Sequence, residues 1–120
     1  MDNKTFAWSA AEMLADHKAA DVLVMDIHEA AGWADYFVIA TSQSSAHMRG
    51  LYRHLEELMA ASNVDALNRP DLSEDQQWLL IDTGGVVFHI MHEQARKFYD
   101  LESLWFNVPR FPVTGSERKV

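Results

Sequence analysis

The sequence predicts an α/β domain, layered as an α+β sandwich, in which a mixed β-sheet of about four to five strands is flanked by helices. Short apolar runs rich in β-branched and aromatic residues recur along the chain and are typical of buried strands. Longer segments between them carry apolar residues at helical spacing. The 120 residues, 48% of them hydrophobic, suit a single domain with one substantial core.

The first half of the chain contains two predicted helices and two predicted strands. Residues 3–18 repeat apolar side chains with a helical period, and Asp2 or Asn3 supplies a cap. Two apolar runs, residues 22–25 and residues 36–40, are short enough to be strands. A second helix follows the hydroxyl-rich run that ends in Ser44-Ser45 and extends to about residue 61.

The second half begins with a polar, exposed connection over residues 63–77. Residues 78–82 and 86–91 are predicted to form a hairpin, because Thr83-Gly84-Gly85 supplies the positive φ angles of a tight turn. We expect the strand-helix-strand unit of residues 36–82 to be a right-handed parallel crossover. A last helix starts near His92 or Glu93, and three residues are predicted to face inward from it: Ala95, Phe98 and Tyr99.

Prolines limit regular structure at the C-terminal end. Pro109 and Pro112 predict that the folded domain covers residues 1–109 and that residues 110–120 form a flexible basic tail.

The charge is acidic and unevenly distributed. The formal net charge is -8, and residues 110–120 hold Arg110, Arg118 and Lys119 against Glu117. Residues 1–109 therefore carry seven basic and seventeen acidic groups, a balance of -10. Phosphate contacts supply most nucleic-acid affinity, so we expect no direct nucleic-acid binding by this acidic body. A basic protein surface is the expected partner, because opposite charge speeds and orients docking.

Composition also bears on location and on cysteine chemistry. The chain has no cysteine, which excludes disulfides, thiolate catalysis and cysteine-based zinc sites. We expect no membrane span, because no segment approaches about 20 apolar residues. The polar start lacks the features of a signal or transit peptide, so a cytoplasmic location is expected.

The residue pattern does not predict an enzyme, a metal site or a cofactor. His47 and His54 lie two turns apart on one helix, too far for one ion, and His89 is interpreted as a packed or hydrogen-bonded strand residue. Two-metal nucleotidyl transfer needs paired aspartates one residue apart, and the sequence has no such pair. A degenerate or unrecognised nucleotidyltransferase using Asp35 and Asp82 stays open as an alternative.

Aromatic residues near chain turns form the best interface candidate. Trp78, Tyr99, Trp105 and Phe106 are interleaved with acidic residues. Trp and Tyr are frequent hot-spot residues because they bury a large area at a low entropic cost. The candidate partner-binding set is Trp78, Leu80, Asp82, His89, Tyr99, Glu102 and Trp105.

Four blocks, in order, resemble the Iojap family of ribosomal silencing factors. They are residues 34–41, Ser44-Ser45 with His47, residues 78–84, and residues 86–105, which end in the pattern Tyr-x-Leu-Glu-x-Leu-Trp. The resemblance implies a nucleotidyltransferase-like topology without the catalytic motif. It also implies binding to the large-subunit ribosomal protein L-fourteen, blocked association of the subunits, repressed translation when nutrients are short, and frequent homodimers.

The chain departs from the family pattern at three places. A Glu-Gly step usually precedes the tryptophan strand, where residues 72–77 stand here. The hairpin usually reads Gly-Asp rather than Gly84-Gly85, and a basic residue usually occupies the position of Ala46. These departures bear on the detailed contacts with a partner.

A generic dimeric adaptor that uses the same apolar surface is the third hypothesis.

Overall fold

A computed structural model describes residues 2–115 as four helices and six strands. In chain order they are α1 (Asn3–Asp16), β1 (Ala20–Asp26), β2 (Tyr36–Ser42), α2 (Ser45–Ala61), β3 (Asp71–Leu72), β4 (Trp78–Asp82), β5 (Val86–His92), α3 (Glu93–Tyr99), α4 (Leu101–Leu104) and β6 (Arg110–Pro112). The longer predicted helices and strands are confirmed, and each predicted end lies within two residues of the observed end. Among the described residues, no helix combines the length and the apolarity needed to cross a membrane.

The strands form one mixed sheet in the order β3-β4-β5-β2-β1-β6. Only β2 and β5 are parallel neighbours in it, and the other neighbouring pairs are antiparallel. The predicted mixed sheet with flanking helices is confirmed, but the prediction of four to five strands is wrong, because the sheet has six. The two missed strands, β3 and β6, are the two edges, where exposed residues produce no apolar run.

Strand β6 corrects the predicted boundary at residue 109. Arg110, Phe111 and Pro112 pair with β1, and the Val113 amide continues the ladder by donating to the Val22 carbonyl at 2.9 Å. Proline is tolerated here because an edge strand has one side without ladder bonds. Residues 110–113 are therefore part of the folded domain. The part of the predicted basic tail formed by residues 116–120 lies outside the described residues.

The predicted parallel crossover between residues 36 and 82 is also wrong. Strand β2 pairs in parallel with β5, whereas β4 lies outside β5 and runs antiparallel to it. Strand β5 is buried along nearly its whole length, but β4 alternates between buried and half-buried positions. The more continuously apolar strand of the hairpin therefore takes the central place beside β2, where both faces of the sheet are covered.

Two hydrophobic clusters cover the two faces of the sheet. On the first face, α1 and α2 pack over Val24, Val38 and Phe88. On the second face, residues from α3, α4 and the segment after β1 pack over Met25, Phe37 and Ile39. Consecutive β2 residues thus enter opposite clusters, as the period of two along a strand requires.

The β4–β5 turn contains one departure from the family pattern. Gly84 has φ 92°, as predicted, but Gly85 is not among the residues with positive φ. A Cβ at Gly85 would instead meet the end of the exposed Asn3 side chain, which would have to move to make room for it. The Asn3 amide donates to the Asp35 carboxylate at 2.9 Å, so this contact also connects α1 to the start of β2. The other departures lie at an exposed position of α2, Ala46, and in the β3–β4 connection.

The predicted hydroxyl cap of α2 is confirmed at Ser44, whose Oγ accepts the His47 amide at 3.0 Å. We expect Ser44→Ala to lower the free energy of unfolding by about 1 kcal/mol, because a first-turn amide loses its acceptor. Urea denaturation measures the change. Ser45→Ala is the matched control, since Ser45 is the first helical residue rather than the cap. Equal losses in the two variants would contradict the assignment.

Candidate functional site

The second face of the sheet is only partly covered, and the gap lies over β4. Trp78, Leu80 and Asp82 alternate along β4 and point to this face, and Leu80 stands opposite His89 of β5 in the register. All three β4 residues are half-buried, in contrast to the fully buried residues of the neighbouring β5. The short helices α3 and α4 cover the centre of the sheet and leave this margin accessible.

Trp78 is the centre of an aromatic cluster at that margin. Its ring lies 4.6 Å from the ring of Tyr99, which lies 5.0 Å from that of Phe98. Phe98 is 81% exposed and Tyr99 is 47% exposed. The predicted inward orientation is confirmed for Ala95 but wrong for Phe98 and Tyr99, because the seven-residue helix α3 buries only Ala95. We call Trp78, Leu80, Phe98 and Tyr99 the open aromatic surface.

A small hollow lies beside the open aromatic surface. It has a volume of about 140 Å³ and is lined by Asp71, Ser73, Trp78 and Leu80. Asp71 reaches this position because β3 pairs it with Leu80. Sequence analysis missed Asp71, Ser73 and Phe98 as site residues. The first two depend on pairing of a two-residue strand, which leaves no periodic signal in the sequence.

His89 contacts Trp78 from the core side, and its interpretation as a packed, hydrogen-bonded histidine is confirmed. The Trp78 Nε1–H group donates to His89 Nδ1 at 3.1 Å, so the neutral imidazole carries its proton on Nε2. His89 is 4% exposed, and burial lowers its pKa from 6.5 to about 4. Its role is to hold the indole ring in place from inside the core.

The burial of His89 predicts a specific pH dependence of stability. In the unfolded chain this histidine is protonated below its ordinary pKa of 6.5. In the folded protein it is protonated only below a pKa of about 4. We expect this group to remove about 3 kcal/mol of stability in total as the pH falls through that interval. His89→Gln keeps an acceptor for the indole but does not titrate. Urea unfolding at pH 7 and pH 4 should therefore show a smaller loss for the variant, and equal losses would contradict the assignment.

Trp105 lies farther inside than the open aromatic surface. Its ring packs at 5.6 Å against Phe37, which lies 4.7 Å from His89. The half-buried Trp105 belongs to the second hydrophobic cluster. Of the seven predicted site residues, the structure brings together Trp78, Leu80, His89 and Tyr99, and it connects Trp105 to them through Phe37.

The two predicted acidic site residues have internal partners. The Asp82 carboxylate accepts the Gly84 amide at 2.8 Å and so caps the hairpin turn. Glu102 forms an ion pair with Arg96 at 3.2 Å. The Arg96 guanidinium also donates to the Asp21 carbonyl at 2.6 Å and to the Thr41 hydroxyl at 3.0 Å. Glu102 thus helps to fasten α3 and α4 to the sheet.

The residues of the enzyme alternative do not form a joint site. Asp35 accepts from Asn3 just before β2, and Asp82 accepts from Gly84 at the end of β4. Strand β5 lies between these two strands. Of the histidines, His17 and His54 stack with ring centroids 3.7 Å apart, while His47 accepts the Gln43 amide. Within residues 2–115, no three His, Cys, Asp or Glu side chains are grouped so as to hold a metal ion.

The fold and the surface define a class: a small α/β domain with a partly exposed aromatic surface of the kind used to bind other macromolecules. Residues 2–120 match the family model described as "RsfS: Ribosomal silencing factor during starvation". The chain belongs to this family, and membership gives it a role in ribosome silencing.

Individual relatives agree with the family. The chain is 38% identical over 100 residues to the ribosomal silencing factor RsfS of Treponema pallidum, covering 82% of this chain and 88% of that protein. It is 37% identical over 100 residues to an Iojap-related mitochondrial protein of Arabidopsis thaliana, covering 78% of this chain and 53% of that protein. A crystal structure of a Chromobacterium violaceum protein superposes with a TM-score of 0.81 at 25% identity and covers 98% of both chains.

Proposed function

We propose that the protein docks through the open aromatic surface on a basic protein of the large ribosomal subunit and sterically blocks association of the subunits. The family resemblance points to L-fourteen as that protein. No reaction is needed, because occupancy of the joining face is enough to repress translation. A cytoplasmic location is part of the same proposal.

The exposed aromatic cluster is the observation that carries this proposal. Phe98, Tyr99 and Trp78 form a continuous row from the solvent to the sheet. The hollow between Trp78 and Leu80 has room for a partner side chain. Large aromatics beside a pocket are the usual anchors of an interface, because they bury much apolar area with few rotatable bonds.

Exposed acids around the surface fit a basic partner. Asp71 borders the hollow, and the exposed Asp75 and Asp100 lie in the adjoining turns. The Ser73 hydroxyl and the Gln77 amide both donate to Asp75 and lower the pKa of its carboxyl group. These acids, rather than Asp82 and Glu102, would steer docking, because the carboxylates of Asp82 and Glu102 are engaged internally.

Cosedimentation with purified large subunits at low and moderate salt tests the proposal. We expect binding under both conditions and weaker binding at moderate salt, because surface charge contributes and is screened. Light scattering of mixed subunits should then show slower joining in the presence of the protein. No association with the large subunit at either salt concentration would overturn the proposal.

Self-association competes for the same surface. A homodimer that buries Phe98 and Tyr99 would correspond to the adaptor alternative, and family resemblance also implies dimers. Measured mass in solution, with and without Phe98→Ala and Tyr99→Ala, shows whether the protein dimerises through this surface in the absence of ribosomes. No specific observation favours the enzyme alternative, and the nucleotidyltransferase-like topology stays a prediction.

A further inference from the structure

A second cavity opens at the carboxyl ends of the two parallel strands, away from the acids considered for catalysis. After β2 the chain enters α2 on the first face of the sheet, and after β5 it enters α3 on the second face. Adjacent parallel strands whose connections leave to opposite faces create a crevice outside their carboxyl ends. This topological switch point is the usual ligand site of open α/β sheets.

The cavity is large and polar. Its volume is about 550 Å³, within the range of roughly 300–1,000 Å³ common to small-molecule sites. Ser42 at the end of β2 and His92 at the end of β5 are register partners and both line it. Three glutamines also line the wall: Gln43, Gln77 and Gln94.

Two polar atoms of the wall have no partner within the protein. Ser42 is 2% exposed, and its Oγ makes no hydrogen bond among the described residues. The same holds for Nε2 of His92. A buried hydroxyl without a partner is costly, and native proteins satisfy nearly all such groups. Both atoms are shielded from solvent at the cavity wall, so a ligand group that reached them would offset the cost of their burial.

Helix α2 begins at Ser45, two residues after Gln43, and none of its residues lines the cavity. This helix has 17 residues, and Ser44 caps it by accepting the His47 amide. The first-turn amides at Ser45 and Ala46 have no intrahelical acceptor, which is a general property of helix starts. They provide weak positive potential beside Ser42.

The charges of the wall restrict the kind of ligand. Asp21 and Glu93 line the cavity, and no Lys or Arg is among the described residues that do so. A polyphosphate would face two carboxylates without a basic side chain in this wall. The amides of Gln77 and Gln94 offer paired donors and acceptors, which match the edges of nucleobases, whereas the Gln43 amide already donates to the Lys18 carbonyl at 3.1 Å. The carboxylates and hydroxyls of the wall can form hydrogen bonds with the ribose hydroxyls.

We propose that this cavity binds a nucleoside at the β2–β5 switch point, with Ser42 and His92 as direct hydrogen-bonding partners. This site is separate from the open aromatic surface and does not depend on ribosome docking. Its occupancy would give the protein a response to a small metabolite as well as to its macromolecular partner.

Isothermal titration of the full chain with the four common ribonucleosides and their 5′-monophosphates tests the proposal. We expect at least one nucleoside to bind with a Kd between about 10 μM and 1 mM. Ser42→Ala should weaken binding about tenfold or more without lowering stability, because the lost hydroxyl has no partner in the protein. Ser62→Ala, at the other end of α2, is the matched control and should bind as the wild type does.

Three results would overturn the proposal. The first is no binding of any of these nucleosides in the millimolar range. The second is undiminished binding by a folded Ser42→Ala variant. The third is tighter binding of a nucleoside monophosphate than of the matching nucleoside, which would show that phosphate contacts dominate. Urea unfolding of each variant establishes that it is folded before its binding is compared.

Discussion

Arg96→Met should lower the free energy of unfolding by about 3 kcal/mol, because the buried Thr41 hydroxyl and the half-buried Glu102 carboxylate lose their donor. The Arg96 side chain is 11% exposed and donates to the Asp21 carbonyl, the Thr41 hydroxyl and the Glu102 carboxylate. Methionine fills similar space but donates no hydrogen bond. Urea denaturation followed by far-ultraviolet circular dichroism measures the change.

Lys97→Met is the matched control for this prediction. Lys97 is the next residue of α3 and forms an exposed ion pair with Glu93 at 3.1 Å. We expect a loss of about 0.5 kcal/mol or less, because surface ion pairs contribute little. A double variant, Arg96→Met with Glu102→Gln, should recover part of the loss by removing the stranded carboxylate. Similar losses for Arg96→Met and Lys97→Met would contradict the anchoring role of Arg96.

Replacing Phe98 and Tyr99 together by alanine should weaken binding to the large ribosomal subunit by about 30-fold or more, as expected for two central aromatic anchors. Cosedimentation at a fixed salt concentration measures the affinity. The fold should survive, because Phe98 is largely exposed and Tyr99 contacts mainly Trp78 and Phe98. This pair is a cleaner probe than Trp78→Ala, which would also leave His89 without its hydrogen bond.

Leu67→Ala serves as the control for the aromatic pair. Leu67 is also a large exposed apolar residue, but it lies in the connection after α2 and contacts the Gly84 turn. We expect its affinity for the large subunit to equal that of the wild type. If the aromatic pair variant binds as tightly as Leu67→Ala, the open aromatic surface is not the docking surface, whatever the ribosome-related role of the family.

Much of the fold was predictable because its signals are local. Helical spacing in α1 and α2 and the apolar runs of β1, β2 and β5 report burial directly, so their positions were found. The Ser44 cap was found because a hydroxyl before a helix has a defined partner a few residues away. By contrast, β3 and β6 depend on pairing with distant strands, and their own residues are exposed.

The site was predicted less completely, for a related reason. The sequence pattern pointed to Trp78, Leu80, His89 and Tyr99, because each lies in a strand or helix whose apolar spacing can be recognised. The engagement of Asp82 and Glu102 depends on partners that only the folded chain provides. The orientation of Phe98 depends on how a seven-residue helix packs, and seven residues are too few to define an apolar face.

The sequence by itself determined the class of fold, the acidic balance of the chain and the exclusion of cysteine chemistry, because composition and short-range periodicity encode these properties. Tertiary structure decided which aromatics reach solvent, which acids are already paired and where the cavity between β2 and β5 opens. Those properties arise from contacts between residues far apart in the chain, such as Arg96 with Asp21 and Ser42 with His92. The spacing of residues along one segment carries no record of such contacts.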